Sequence, residues 1–234
     1  RSEYFMNARH DDHDLSTEAG WRRLRANYMA NITLVDDAVG RILQAIEDSG
    51  QADNTIVVFT SEHGDLVGSH GMLEMRTFYE AASKVPLLVR VPWLDHGHRM
   101  IGGNFSQIDL VPTLFDLMGQ QVPDYLQGTS RVGVMTGDGS LEHNDVFMQH
   151  NGVGDRDLTS EESSPTASRE LADAINYMNT LPWRSVVTGD RWKLNLCAGD
   201  QCELFDLNAD PNEFTNLFNE PEHRDRVRAM GARI

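Results

Sequence analysis

From Thr17 onward apolar residues recur at steps of three and four, at Trp21, Leu24, Tyr28, Ile32, Val35, Val39, Leu43 and Ile46, which predicts one long amphipathic helix. Ser16 or Thr17 supplies its cap, Glu18 a carboxylate in its first turn, and Gly50 its stop. The period then changes. Thr55 to Thr60 is an unbroken apolar, β-branched run, which reads as a strand buried on both faces in a parallel sheet. Helix and strand together make half of a βαβ crossover. The strand ends in Ser61-Glu62-His63-Gly64-Asp65, which places a carboxylate and an imidazole where open α/β sheets gather their ligands.

Further on, Leu66 to Gly71 reads as a glycine-rich loop, Met72 to Lys84 as loop and short helix, and Val85 to Pro92 as the next strand. Ser106 to Gly119 reads as a helix that tolerates Pro112 near its first turn and stops at Gly119. Asp145 to Gln149 has strand character, and Asn151 to Asn179 is a polar excursion with a short helix near Ser168 to Tyr177. Trp183 to Leu196 gives two strands around Thr188-Gly189-Asp190, and with Glu203 to Leu207 these make a small antiparallel meander. Glu220 to Arg233 is a terminal helix capped by Asn219. The expected fold class is α/β: the later part of a mostly parallel sheet flanked by helices over residues 1–140, an excursion over 141–182, and a small antiparallel subdomain with a C-terminal helix over 183–234.

Composition narrows the partners. A formal charge of -16, from 20 basic and 36 acidic residues, argues against nonspecific binding to nucleic acid or anionic membranes and favours a cation. No apolar run approaches the roughly 20 residues that span a bilayer, and the chain starts at Arg1 without a signal peptide, so it reads as a fragment. Its compartment stays open between cytoplasm and periplasm or exterior. Cys197 and Cys202 flank a hairpin turn and read either as free thiols or as a cross-strand disulfide. The polar cluster Arg9 to His13 reads as a solvated loop, and His96 with His98 lacks a third ligand nearby.

The order of short blocks is more telling than any one of them. They are Val35 to Leu43, Asp53-Asn54-Thr55, Ser61-Glu62-His63-Gly64, Gly68-Ser69-His70-Gly71, Tyr79-Glu80, Val85-Pro86-Leu87, Ile108 to Leu114, and Glu203 to Glu213 followed by Asn216-Leu217. Together they resemble the sulfatase family of the alkaline-phosphatase-like superfamily, with its arylsulfatase and choline-sulfatase members. The resemblance implies a calcium or magnesium ion, with Glu62 and His63 in ligand positions. It marks His70 as a catalytic candidate, equally readable as a histidine that stabilises its own turn, and Arg76 is a candidate through its place beside Met75, where the family commonly has a lysine. Arg184 and Lys193, with Gln149-His150-Asn151, fall on elements that line substrate pockets in the family.

In that family a formylglycine, made from Cys or Ser in a Cys-x-Pro-Ser-Arg motif, attacks the sulfur. The nearest approach here, Ser163-Ser164-Pro165-Thr166-Ala167, lacks the arginine and follows the metal turn, so formylglycine is expected upstream of this chain. Glu62 stands where the family has Asp, and Met75 where it commonly has the sulfate-binding lysine. The expected whole enzyme hydrolyses the sulfate ester of a small molecule or carbohydrate, while this chain alone is inactive and binds metal weakly. The alternatives are a phosphonate or phosphate ester hydrolase of the same superfamily, and a degenerate module without catalysis.

Overall fold

The computed structural model describes residues 15–73, 75, 77–94, 97–152, 180–199 and 201–234. The polar cluster Arg9 to His13, read as a solvated loop, together with His96, Arg76, the Ser163 to Ala167 segment and the expected helix near Ser168 to Tyr177, lies outside these residues. Contacts divide the described chain into two compact units, one ending at residue 94 and the other made of residues 97–152 and those from 180 on. Among the described residues no helix is long and apolar enough to cross a membrane.

In the first unit the expected long helix is α1, Glu18–Asp48. Thr17 caps it, its hydroxyl accepting from the Gly20 amide at 3.1 Å, and Gly50 takes the left-handed φ of 70° that ends it. Its apolar stripe is half-buried at Trp21, Leu24, Val39 and Ile46 and exposed in between, with Ile32 47% and Val35 54% exposed, and Gly20 is the buried residue of the helix. β1 is Val57–Thr60, shorter than the apolar run by two residues at its start. It pairs antiparallel with β2, Leu87–Arg90, with Val57 opposite Arg90 and Thr60 opposite Leu87. The expectation of a parallel strand buried on both faces is therefore corrected, since β1 lies in an antiparallel pair with Phe59 exposed. An unbroken apolar run is the usual mark of a parallel strand covered on both faces, but that is a tendency of composition, and the pairing of β1 with β2 departs from it. The connection holds α2, Glu80–Ser83, and a small core of Leu66, Met72 and Ala82 packed against Tyr79.

In the second unit a single 3₁₀ turn, Gln107–Asp109, leads into α3, Leu110–Leu117. Pro112 is buried inside its first turn, where a missing amide proton is harmless, and Gly119 closes it at φ 66°. Asp109 ties this turn to the next segment: its carboxylate accepts from Arg131 Nε at 2.7 Å and from the Thr129 amide at 2.8 Å. Arg131 in turn donates to Asn144 Oδ1 at 2.9 Å and opens α4, Val132–Thr136, an element the residue pattern did not indicate.

The small sheet has four strands in the order β3 (Val146–His150), β4 (Trp183–Val187), β5 (Trp192–Cys197) and β6 (Glu203–Asp206), all neighbours antiparallel. The expected meander is present, and the strand near Asp145 joins it at the edge. Val186, Leu194 and Leu204 are fully buried and pack with Met230 of α5, Arg224–Gly231. Burial of each such side chain stabilises the unit by about 1.5–3 kcal/mol. The expected Asn219 cap is not used; the chain enters α5 through a 3₁₀ turn, Pro221–His223, whose rigid φ starts the turn without a side-chain cap. Arg226 fastens the helix to the sheet, 4.3 Å over the Trp192 ring and 2.8 Å from Asp190.

Candidate active site

β1 delivers the chain directly into the turn Ser61 to Asp65. Ser61 closes the turn, its hydroxyl donating to the His63 carbonyl at 2.7 Å, and the Gly64 amide donates to the Ala82 carbonyl at 2.8 Å. Gly64 has to be glycine: a Cβ there would lie 2.1 Å from the Ala81 carbonyl oxygen. The turn is thus pressed against α2, and the two side chains before Gly64 face outward from a fixed backbone.

Those side chains meet. His63 Nδ1 lies 2.8 Å from the Gly64 carbonyl, which only accepts, so the partner assigns the ring proton to Nδ1. Nε2 then turns its lone pair toward Glu62 Oε1 at 3.2 Å. Two electron-pair donors at that distance suit a cation placed beside them. The Glu62 side chain is 85% exposed and that of His63 37%, so a cation reaches the pair directly from solvent. Among the described residues no group of three or more His, Cys, Asp or Glu is arranged to hold a metal.

The following loop is tightly wound. Asp65 Oδ1 accepts from the Val67 amide at 2.9 Å, and Val67, Gly68, His70 and Gly71 all have positive φ, at 44°, 94°, 54° and 66°. Left-handed backbone at β-branched Val67 and at His70 is strain that persists only where the surroundings enforce it. The His70 ring stacks on Tyr79 at 3.8 Å with the planes 3° apart. Met75 is 38% exposed.

The substrate-lining candidates lie in the second unit. His150 is opposite Trp183, and Gln149 opposite Arg184, in the β3–β4 ladder. Arg184 Nη1 donates to the carbonyls of His150 at 3.1 Å and Trp183 at 2.8 Å. Arg184 borders an open depression of about 370 Å³ with Pro182, Leu196 and both cysteines, which are not joined in a disulfide. The sequence reading of Lys193 as a pocket residue is corrected: its side chain is 0% exposed and pairs with Glu213 at 2.9 Å. A lysine on a strand of alternating pattern carries no mark of burial; here it is paired with the carboxylate of Glu213, twenty positions on. Trp21 was readable as a core-face residue but not as a neighbour of Gly68, a contact that depends on tertiary approach.

Against known proteins, the sequence model of the family described as Sulfatase matches residues 2–120, just over half of the chain. The chain belongs to the sulfatase family. A choline-sulfatase of Rhizobium meliloti is 32% identical over 208 residues, covering 88% of this chain and 35% of the relative. An N-acetylglucosamine-6-O-sulfatase of Bacteroides thetaiotaomicron is 25% identical, covering 90% of this chain and 35% of the relative. Among solved structures, BT4656 in complex with its substrate D-glucosamine-2-N,6-O-disulfate superposes with TM-score 0.74 at 25% identity, over 94% of this chain and 42% of that one. The phosphonate monoester hydrolase of Silicibacter pomeroyi superposes with TM-score 0.79 at 25% identity, over 99% of this chain and 44% of that one. This sulfatase chain therefore has the alkaline-phosphatase-like α/β fold, with a small antiparallel sheet and C-terminal helix, and spans about a third of the length of the curated relatives it matches.

Proposed function

We propose that this chain is the later portion of an enzyme that hydrolyses a sulfate ester, with Glu62 and His63 contributing to a divalent metal site. The observation that carries the reading is the Glu62 Oε1 to His63 Nε2 approach of 3.2 Å at the end of β1, inside the segment matched by the family. The donor set fits a hard cation in part: a carboxylate oxygen suits calcium or magnesium, and the imidazole adds a neutral second donor. A divalent ion held by Glu62 and His63 would supply positive charge to the oxygens of a sulfate ester.

The chain's own residues prepare that site. Ser61 fixes the backbone at His63, the Gly64 carbonyl sets the imidazole tautomer, and Glu62 brings a negative charge on a stem one carbon longer than aspartate. His70 and Arg76 are assigned to the reacting group, and Arg184 with His150 to the substrate beyond the sulfate. A sulfated small molecule or carbohydrate is the proposed substrate, in keeping with the disulfated glucosamine of the BT4656 complex and the named sulfatase relatives. Calcium or magnesium is the proposed metal, and formylglycine the proposed nucleophile, supplied from outside this chain.

The test is turnover of a chromogenic aryl sulfate by the intact enzyme and by His63→Ala. The wild type hydrolyses it and the variant loses activity together with bound metal. The 234-residue chain by itself gives no turnover and only weak heat of calcium binding; activity in that chain, or tight calorimetric binding, contradicts the assignment. A second reading, phosphonate ester hydrolysis, is favoured by the coverage of the phosphonate monoester hydrolase structure and is separated by comparing kcat/KM for an aryl sulfate and an aryl phosphonate monoester.

A further inference from the structure

The loop from Leu66 to Gly71 holds four left-handed residues, and its own hydrogen bonds do not account for that by themselves. The Gly68 amide donates to the Met72 carbonyl at 2.8 Å, the Gly71 amide to the Gly68 carbonyl at 3.1 Å, and the Met72 amide to the Ser69 carbonyl at 3.0 Å. These bonds close a turn but leave its position on the protein undetermined. Position comes from α1. A Cβ on Gly68 would lie 2.7 Å from Trp21 Cζ3 and 3.2 Å from Trp21 Cε3, so the indole occupies the place a side chain would take. Arg25, one helical turn on, brings Nη2 to 3.4 Å from the same point and sets its guanidinium 6.0 Å over the indole. On its other side the loop is held by the His70–Tyr79 stack.

We propose that Trp21 is a positioning residue for His70: its indole, seated against Gly68 and flanked by Arg25, holds the Gly68–Gly71 turn so that the His70 ring stays stacked on Tyr79 in the sulfate-ester site. The mechanical link is the Gly71 to Gly68 hydrogen bond, which makes the turn carrying His70 move with Gly68. The inference rests on the sulfate-ester reading for what His70 serves, and on geometry alone for what Trp21 does. Gly68 is required because any larger residue displaces the indole, and because its φ of 94° is one that side chains disfavour.

The experiment uses the intact enzyme with Trp21→Ala, Trp21→Phe and Gly68→Ala, read by the NMR shift of the His70 ring protons, by kcat and KM on an aryl sulfate, and by the urea midpoint. Stacking on Tyr79 shields the His70 ring protons. In Trp21→Ala and Gly68→Ala they move to unshielded positions, and kcat falls by about tenfold to a hundredfold with KM within about threefold. Trp21→Phe, which keeps an aromatic face against Gly68, restores most of both. Where Trp21→Ala does not fold, Gly68→Ala and Trp21→Phe decide. Unchanged His70 shifts in folded variants, or unchanged kcat with displaced shifts, overturn the proposal. Should the wild type hydrolyse no sulfate ester, the proposed function fails, and the His70 shifts still decide the role of Trp21.

Discussion

Replacing Lys193 by Met tests how the small sheet is held together. Lys193 lies on β5 and Glu213 in the loop after β6, their side chains 0% and 1% exposed and 2.9 Å apart. Glu213 reaches the lysine from a left-handed backbone, φ 59°, with its amide bonded to the Asp210 carbonyl at 3.1 Å, so the loop is wound to aim this carboxylate inward. Met keeps the length of the lysine stem and removes the charge. The carboxylate then remains buried beside an apolar side chain, a situation that destabilises by about 3–5 kcal/mol. An exposed pair broken in the same way changes stability by at most about 1 kcal/mol. Hydrogen exchange of the β5 and β6 amides isolates the opening of this sheet from the rest of the chain. The expected result is exchange faster by roughly two to three and a half powers of ten, at about 1.4 kcal/mol for each. Adding Glu213→Gln to Lys193→Met recovers part of the loss, because no ion is left behind. Exchange in Lys193→Met within a factor of about three of wild type refutes the reasoning, as does a double variant that is the sum of its parts.

Three further outcomes follow from the same contacts. Gly64→Ala forces a Cβ against the Ala81 carbonyl at 2.1 Å, so the Ser61–Asp65 turn shifts and the protein loses about 1–3 kcal/mol in a urea titration along with aryl sulfatase activity. Asp109→Ala leaves Arg131 and the Thr129 amide without the carboxylate they bind, and lowers stability by about 3 kcal/mol, with early exchange at residues 129–131. The carboxyl of Asp190 is held below the usual range by the Thr188 hydroxyl first and by Arg226 second. Its stabilising effect is therefore present above the ordinary aspartate pKa and lost as pH falls through the lowered one. Since the side chain is 56% exposed, the effect is under about 1 kcal/mol, and Asp190→Asn flattens stability against pH in the acid range.

Much of this was legible in the residues, and the illegible part has a physical pattern. Thr17, Gly50, Pro112 and Gly119 mark helix ends through local backbone chemistry, and the structure uses each of them there. Trp183 to Asp206 alternates with clear turn residues, and its strands pair in the expected order. The direction of β1 was misread, because an unbroken apolar run usually marks a parallel strand and here the strand pairs antiparallel with β2. Burial of Lys193 and the seat of Trp21 on Gly68 were not legible either, since each depends on a residue far along the chain. At the site, the proximity of Glu62 and His63 follows from adjacency and the strand end, whereas the tautomer that turns Nε2 toward Glu62 comes from a carbonyl position that only folding sets.

The central claim is that the Glu62–His63 turn holds the metal of a sulfate-ester hydrolase. Its most direct test is metal content measured beside aryl sulfate turnover in the intact enzyme, for wild type, Glu62→Gln and His63→Ala. Wild type is expected to bind calcium or magnesium and turn over the ester, Glu62→Gln to weaken both, and His63→Ala to lose both. Full metal content and undiminished turnover in His63→Ala would contradict the claim.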